Sequence, residues 1–402
     1  MERVISLLGI IVFLGLGYLF SLNRKAVQWR TVLWGMALQF ILAVFILKTP
    51  LGLALFQFLG SLVGTFLNFS DVGAEFVFGE GFEEHFIAFK VLPTIIFFSS
   101  FISLLYHYNI LPKIVKAIAF FMIRTMKTSG PESLNAAANI FVGQTEGPLI
   151  IKPYIKNLTM SELHAVMTGG FATIAGGVMA AYISFGISAE HLISASVMSA
   201  PAALAISKLF YPETEKLSTV QELEVEDKTP YVNAIDAIAA GALDGLKLAL
   251  NVGAMLIAFI SLLAVVNSLF GWVGVKIGLP DLSLEWFLAY IMAPFAWLMG
   301  VPWSDCLQVG ILLGKRTILN EFVAYLELQE LITQQQISPR AIVITTYALC
   351  GFANIGSIAI QIGGISAIAP SRQPDLAKLG VRAMLAGTIA CFITACIAGM
   401  LI

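Results

Sequence analysis

Long apolar runs separated by short polar segments make up most of the sequence and predict membrane-spanning helices. A helix needs about 20 predominantly apolar residues to cross the hydrocarbon core of a bilayer. Eight runs approach or exceed this length, at residues 4–20, 32–47, 87–105, 161–185, 193–210, 234–269, 342–368 and 381–401. We therefore predict an all-α polytopic membrane protein with eight transmembrane helices.

Other segments do not have the pattern of a span. Residues 51–67 and 282–298 are interrupted by glycine or proline, and we predict that residues 51–67 lie along the membrane interface, with crossing as the alternative. Residues 111–126 mix apolar positions with three basic residues, which is typical of a helix at the membrane interface. Residues 70–85 carry five carboxylates and predict a solvated loop. Residues 211–231 are also rich in acidic residues and predict a cytoplasmic loop between two halves.

Two segments combine short apolar arms with polar residues at their centre. Residues 131–158 have arms of about ten residues, too short to cross a bilayer, separated by Gly143 and by Gly147 with Pro148. Residues 302–328 contain Glu321 in a similar setting. Non-helical backbone at membrane depth is tolerated where it is buried in protein or lines a cavity. We predict that both segments are re-entrant hairpins.

An internal repeat relates the two halves of the chain. FISLL at residues 101–105 recurs at residues 259–263, and GFATIA at residues 170–175 is followed in the second half by GFANIG at residues 351–356. A polar hairpin lies between the two matches in each half. Each copy has three crossings, so the copies face opposite ways. Inverted repeats of this kind are typical of secondary transporters.

The repeat suggests scaffold and transport domains in the following order. Scaffold helices with an interfacial helix occupy residues 1–110, the first repeat with its hairpin 111–210, the cytoplasmic loop 211–231, a long scaffold helix with an interfacial helix 232–300, and the second hairpin with transport helices 301–402. Placing the basic loop at residues 24–30 in the cytoplasm puts most other basic residues there too. Both termini are then predicted to lie outside.

Composition supports a membrane protein. Of 402 residues, 58% are hydrophobic and only 12% are charged, and the mean hydropathy is +0.88. Soluble domains carry about 25% charged residues. The net charge of −2 gives no indication of nucleic-acid binding.

The candidate site combines the two hairpin tips with the two glycine-broken spans. It contains Gln144, Thr145, Glu146, Thr173, Ile174, Asn320, Glu321, Phe352, Asn354 and Ser357. These groups are mainly hydrogen-bonding and suit a neutral polyhydroxylated or amide-bearing solute. A carboxylate in a membrane segment marks a functional site by default. The structural alternative for Glu146 and Glu321 is that each caps the N-terminus of a half-helix.

A sodium site is one interpretation of the oxygen-bearing groups near the first hairpin. The side chains of Asn139 and Thr173, with carbonyls of Val142 and Ile174 freed by helix breaks, give an oxygen-only shell of low charge. Ordinary interhelical hydrogen bonding is the alternative for Asn139 and Thr173. His164, at the cytoplasmic boundary of its span, is predicted to be solvated.

Four segments carry a family resemblance: ANIFVGQTE at residues 138–146, AGGV at 175–178, NEFVAY at 320–325 and CGFAN at 350–354. They resemble the concentrative nucleoside transporter family, in its bacterial sodium-coupled branch. The resemblance implies a homotrimer in the bacterial cytoplasmic (inner) membrane. Each protomer would have eight spans, two re-entrant hairpins, a trimer-forming scaffold and a transport domain that moves like an elevator.

The resemblance also implies residue roles. Gln144, Thr145 and Glu146, with Val178, would contact the nucleobase. The ribose would be held by Glu321, Asn354 and Ser357, with Phe352 alongside. Sodium would be bound by Asn139, Thr173 and the carbonyls of Val142 and Ile174. Two positions depart from the family pattern, since Thr173 stands where Ser is usual and Gly147 where Ala is usual.

We therefore expect a sodium-coupled symporter that imports nucleosides, and not an enzyme. A proton-coupled symporter using Glu146 or Glu321 is the main alternative. An intramembrane hydrolase with the two glutamates as acid and base is a weaker one, because the sequence offers no nucleophile–base pair or metal cluster. A passive channel is a third possibility.

Overall fold

The structure, a computed structural model, describes residues 1–215, 231–279 and 282–402, so most of the predicted loop at 211–231 lies outside the described residues. Within these ranges the chain forms helices and no strand, as expected for the all-α class. The helices of the first half are α1 (Glu2–Leu19), α2 (Trp29–Lys48), α3 (Pro50–Leu67), α4 (Phe69–Phe78), α5 (Leu92–His107), α6 (Ile110–Met126), α7 (Gly130–Ala138), α8 (Gly147–Ile150), α9 (Met160–Ala172), α10 (Gly176–Ser184) and α11 (Ala189–Phe210). Those of the second half are α12 (Ala234–Ile277), α13 (Leu284–Leu298), α14 (Cys306–Ile318), α15 (Glu321–Thr333), α16 (Pro339–Leu349), α17 (Ile355–Ile368) and α18 (Gln373–Leu401).

Eight helical stretches are long and apolar enough to cross a membrane. They are Glu2–Leu19, Trp29–Lys48, Pro50–Phe78, Glu80–His107, Met160–Ser184, Ala189–Phe210, Ala234–Ile277 and Pro370–Leu401. Seven of them overlap predicted spans. Pro50–Phe78 has the length and hydropathy of a span, and its predicted interfacial position stays a prediction. The predicted glycine-broken span at 342–368 consists of α16 and α17, because residues 350–354 are not helical.

The prediction of a loop at residues 70–85 is wrong, whereas the solvation of these residues stays a prediction. These residues form most of α4 and a 3₁₀ helix, Glu80–His85. Lys90 lies 3.4 Å from Asp71 and 2.7 Å from Glu83, so two of the acidic groups have a cationic partner within the helical structure. Asp71 also lies in the first turn of α4, where a negative charge stabilises a helix.

The core is built around α18. This helix packs against α1, α9, α11, α16 and α17, and its residues 390–398 are buried on every face. At the periphery, α12 and α5 pack along each other. Apolar side chains of α12 such as Ile257 remain exposed. An apolar surface of this extent marks contact with lipid or with another protein chain.

Helix α6 has the amphipathic character that its sequence predicts. Its buried residues include Leu111, Val115, Ala119 and Met122, spaced by three or four, while Lys113 is exposed. Residues with this spacing share one face of a helix. That face packs against α7. Placement of α6 at a membrane interface stays a prediction.

The two ends of the described chain lie on the same face of the molecule. Arg3 Nε donates to the carbonyl oxygen of Ile402 at 2.6 Å, and Arg340 binds the carbonyl oxygen of Gly399 in the last turn of α18. Chain ends on the same face agree with a chain that crosses the membrane an even number of times. The side of the membrane on which the ends lie stays a prediction.

Candidate functional site

The first arm of the first hairpin, residues 131–158, is the short helix α7. At the N-terminus of α7 the Ser129 amide donates to Glu132 Oε1 at 2.8 Å, which satisfies one free backbone amide. Helix α7 ends at Ala138 with Asn139 as its C-cap, and the chain is irregular until Gly147 and Pro148 begin α8. The tip between these helices carries Gln144, Thr145 and Glu146.

The second hairpin, residues 302–328, consists of most of α14 and α15 packed against each other. Its tip is short. The side chain of Asn320 accepts a hydrogen bond from the Val323 amide at 3.0 Å and so caps α15. This cap places Glu321 in the first turn of α15.

The two broken spans meet at their breaks. Helix α9 ends at Ala172 and α10 begins at Gly176, while α16 ends at Leu349 and α17 begins at Ile355. The Phe352 amide donates to the Thr173 carbonyl at 3.2 Å. A Cβ on Gly351 would lie 2.6 Å from the Phe171 carbonyl oxygen, so only glycine permits this close approach of the two backbones.

One polar cluster joins the first tip to the second broken span. Gln144 Nε2 donates to Ser357 Oγ at 3.1 Å. Gln361 Nε2 donates to Gln144 Oε1 at 3.1 Å and also to the Met167 carbonyl at 3.1 Å. All three polar side chains are buried. The amide of Gln144 therefore has a fixed orientation.

A second cluster surrounds the carboxylate of the second tip. Tyr182 Oη donates to Glu321 Oε1 at 2.9 Å, and Asn354 Nδ2 donates to Glu321 Oε2 at 3.1 Å. Asn354 Oδ1 in turn accepts from the Ser357 amide at 2.8 Å. Because Ser357 Oγ also accepts the hydrogen bond from Gln144, the two clusters are connected. The structure thus brings the two hairpin tips and both broken spans together.

The remaining predicted contact residues lie around these clusters. Thr145 Oγ1 donates to Glu146 Oε2 at 3.1 Å, and Glu146 is exposed. Val178 and Phe352 are buried apolar residues near the breaks. The structure gives their positions, and their contact with a ligand stays a prediction.

A cavity of about 800 Å³ lies beside the first tip. It is bordered by Val142, Gly143 and Glu146, by the break at Ala175, and by side chains of α5 and α12 such as Ser103 and Asp244. Cavities of 300–1,000 Å³ are typical for small-molecule sites. Gln144 and Glu321 are not among the described residues that line it.

The residues predicted to bind a cation lie against the first break. Asn139 is fully buried, and within the described ranges neither its side-chain oxygen nor its nitrogen has a hydrogen-bond partner. Thr173 Oγ1 bonds the Gly169 carbonyl at 2.8 Å. No described backbone amide donates to the carbonyls of Val142 or Ile174. The buried unpaired oxygen of Asn139 and the two free carbonyls fit a small hard cation, since such ions prefer oxygen ligands.

Comparison with known proteins identifies the family. Residues 191–399 match the family described as "Na+ dependent nucleoside transporter C-terminus", residues 8–81 match its N-terminus, and residues 88–189 match "Nucleoside recognition". The chain belongs to the sodium-dependent nucleoside transporter family.

Relatives from this family align along the whole chain. Solute carrier family 28 member 3 of Mus musculus is 48% identical over 417 residues, covering 100% of this chain and 59% of the relative. Sodium/nucleoside cotransporter 1 of Mus musculus is 45% identical and is covered to 64%. The chain thus spans about three fifths of the length of these relatives.

Solved structures of CNTnw have the same fold. CNTnw in an inward-facing substrate-bound state is 40% identical, with a TM-score of 0.95 and coverage of 100% of this chain and 98% of that chain. A CNTnw variant in an outward-facing state matches with a TM-score of 0.94, 40% identity and the same coverage. This member of the nucleoside transporter family therefore has a fold for which two opposite-facing states are known.

Sequence reasoning missed two residues of the clusters, although helical spacing could have found them. Gln361 lies four positions after Ser357 and seven after Asn354, and Tyr182 lies four positions after Val178. Residues with these spacings share one face of a helix. Gln361 and Tyr182 therefore lie on the same faces of α17 and α10 as the motif residues, but further along each helix.

The prediction that His164 is solvated is wrong. The side chain is 0% exposed, and its Nδ1 lies 2.7 Å from Ser207 Oγ. A buried ion pair is also found nearby, between Lys208 Nζ and Glu132 Oε2 at 2.7 Å. Together these contacts fasten α11 to α9 and to the base of the first hairpin, so this end of the transporter is more tightly packed than a solvated boundary.

Proposed function

We propose that this protein is a sodium-coupled symporter that imports nucleosides across the bacterial cytoplasmic membrane. The observation that carries the proposal is the connected pair of clusters, which joins both hairpin tips at the two helix breaks. Secondary transporters place substrate and ion sites where discontinuous helices of two repeats meet. The family and the names of the relatives support nucleosides as the transported class.

The chemistry of the clusters suits a neutral nucleoside. An amide such as that of Gln144 offers both a donor and an acceptor, as the edge of a nucleobase requires. The Glu321 carboxylate accepts one described side-chain hydrogen bond at each oxygen, and each oxygen has a further lone pair for a ribose hydroxyl. A site that hydrogen-bonds substrate hydroxyls rejects analogues that lack them. We propose Gln144, Thr145, Glu146 and Val178 for the base, and Glu321, Asn354, Ser357 and Phe352 for the ribose.

Sodium would bind between the first tip and the first break, at Asn139, Thr173 and the carbonyls of Val142 and Ile174. Asn139 is the C-cap of α7, and the chain leads from it directly into the tip. An ion that orders Asn139 would therefore also order Gln144 and Glu146. Such ordering is a binding coupling between ion and substrate. Moving one charge through 100 mV supplies about 2.3 kcal/mol, which supports roughly a 50-fold nucleoside gradient.

We further propose an elevator-type alternating-access mechanism in a homotrimer. The hydrogen bond between Phe352 and Thr173 joins the two broken spans, which supports movement of both hairpins as one transport domain. The apolar exposed face of α12 supports a scaffold role at the periphery. Both hairpins would be re-entrant, and both termini would lie outside.

Uptake of labelled uridine into proteoliposomes tests the proposal. We expect accumulation above equilibrium under an inward sodium gradient, and none when potassium replaces sodium. Glu321→Gln should abolish accumulation, whereas Glu75→Gln, at an exposed position of α4, should match the parent. Uptake that ignores sodium but follows a pH gradient would instead support proton coupling through Glu146 or Glu321. Uptake that stops at equilibrium would identify a channel.

A further inference from the structure

The second hairpin contains a buried positive charge that the proposed site does not use. Arg316 is 0% exposed and is the largest fully buried side chain among the described residues. Its neighbour Lys315 pairs with Glu285 and Glu327, but no described carboxylate lies within 4.0 Å of the Arg316 guanidinium. A charge at membrane depth without a carboxylate in direct contact is costly and therefore indicates a function.

The contacts of Arg316 show where the charge acts. One guanidinium nitrogen donates to the carbonyl of Ala348 and the other to Thr388 Oγ1 at 3.1 Å. Ala348 lies in the last turn of α16, directly before the second break. Carbonyls in the last turn of a helix lack partners within the helix, and the negative end of the helix dipole attracts a cation. Arg316 is thus a fixed cation at the end of a broken helix.

Asn139 has the corresponding position in the first repeat. Both residues stand at the C-terminal end of the first arm of a hairpin, and both face the last turn of the helix that precedes a break. Asn139 Nδ2 would lie 3.0 Å from a Cβ on Gly169 in the last turn of α9. There the side chain is neutral and, among the described residues, unpaired. The first repeat therefore lacks the fixed charge that the second repeat contains.

We propose that Arg316 is a positioning residue. Its guanidinium supplies in the second repeat the positive charge that a bound sodium ion supplies in the first repeat. This inference rests on the proposed function. The guanidinium holds the end of α16 against the second hairpin. It thereby fixes Glu321, five residues after Arg316, and Asn354, six residues after Ala348.

The test compares a neutral and a charged replacement of Arg316 in the purified full-length protein. Uridine affinity is measured by calorimetry at saturating sodium, and sodium binding by the rise in unfolding temperature without uridine. We expect Arg316→Met, which keeps much of the volume, to weaken uridine binding at least tenfold. The sodium concentration for half-maximal stabilisation should stay within twofold of the parent. Arg316→Lys, which keeps the charge, should bind uridine at least threefold more tightly than Arg316→Met.

Lys315→Met is the matched control, because it removes the neighbouring charge outside the clusters. Its uridine affinity should stay within twofold of the parent. Parent-like uridine binding by Arg316→Met would overturn the inference, as would equal losses or equal failure to fold in the methionine and lysine variants. A parent protein that shows neither sodium-dependent stabilisation nor sodium-driven uptake would refute the proposed function instead.

Discussion

Replacing Gln361 with methionine tests whether the orientation of Gln144 determines substrate affinity. Gln361 is 1% exposed and donates to Gln144 Oε1 and to the Met167 carbonyl, each at 3.1 Å. Methionine has nearly the same length but no donor. Gln144 Oε1 would then lose its described donor, while Met167 is within α9 and keeps its helical environment.

The magnitude follows from that single lost donor. A buried acceptor left without a partner costs about 1–3 kcal/mol. Gln144 would turn to find another donor, and its amide would no longer be oriented for the nucleobase. If uridine binding must pay this free energy to restore the orientation, the Kd rises roughly 5- to 150-fold. Gln361 itself need not contact the ligand for this effect.

Isothermal titration calorimetry with uridine in sodium buffer measures the Kd, and thermal unfolding checks that the variant is folded. Gln334→Met is the matched control, because it makes the same change at an exposed residue that caps the C-terminus of α15, and it should leave the Kd unchanged. A folded Gln361→Met protein with a Kd within twofold of the parent would refute the reasoning, since Gln144 would then not depend on this hydrogen bond.

Three further predictions concern other parts of the molecule. Lys208→Met leaves Glu132 buried without its partner at 2.7 Å, so thermal unfolding should show a loss of about 3–5 kcal/mol, part of which Glu132→Gln in the same chain should restore. Tyr182→Phe removes a hydrogen bond to the Glu321 carboxylate, which is worth about 1.5–3 kcal/mol, and should raise the KM for uridine uptake without changing the sodium requirement. Asn139→Ala should raise the sodium concentration for half-maximal uptake at least tenfold, and uptake should recover at high sodium; an unchanged sodium dependence would exclude Asn139 from the ion site.

Much of the fold follows from the sequence because the bilayer limits the options. Apolar length alone located seven of the stretches that are long and apolar enough to span, and GFAN at residues 351–354 marked a break that the structure contains. Residues 70–85 were mispredicted as a loop because their carboxylates were counted without their partner Lys90, which follows this segment. An ion pair of this kind depends on how the chain folds back, which local composition does not record.

The same limit applies to the candidate site. Motifs located Gln144, Glu321 and Asn354, and the structure connects all three through hydrogen bonds. The side chains that hold them, Gln361 and Tyr182, lie outside the motifs and act through contacts with residues more than 130 positions away. Helical spacing places Gln361 and Tyr182 on the same helix faces as the motif residues, but their hydrogen-bond partners follow only from the packing of α17 and α10 against the hairpins.

The cavity beside the first tip has a consequence for inhibition. One wall of the cavity contains Glu146, and another belongs to α5 and α12, with Ser103 and Asp244. Under the proposed mechanism these walls slide past each other, while the joined breaks keep the nucleoside pocket intact. A compound that fills only the pocket would be carried as cargo. A blocker must instead bridge both walls, so the most useful drug scaffold would extend from a nucleoside towards Ser103 and Asp244.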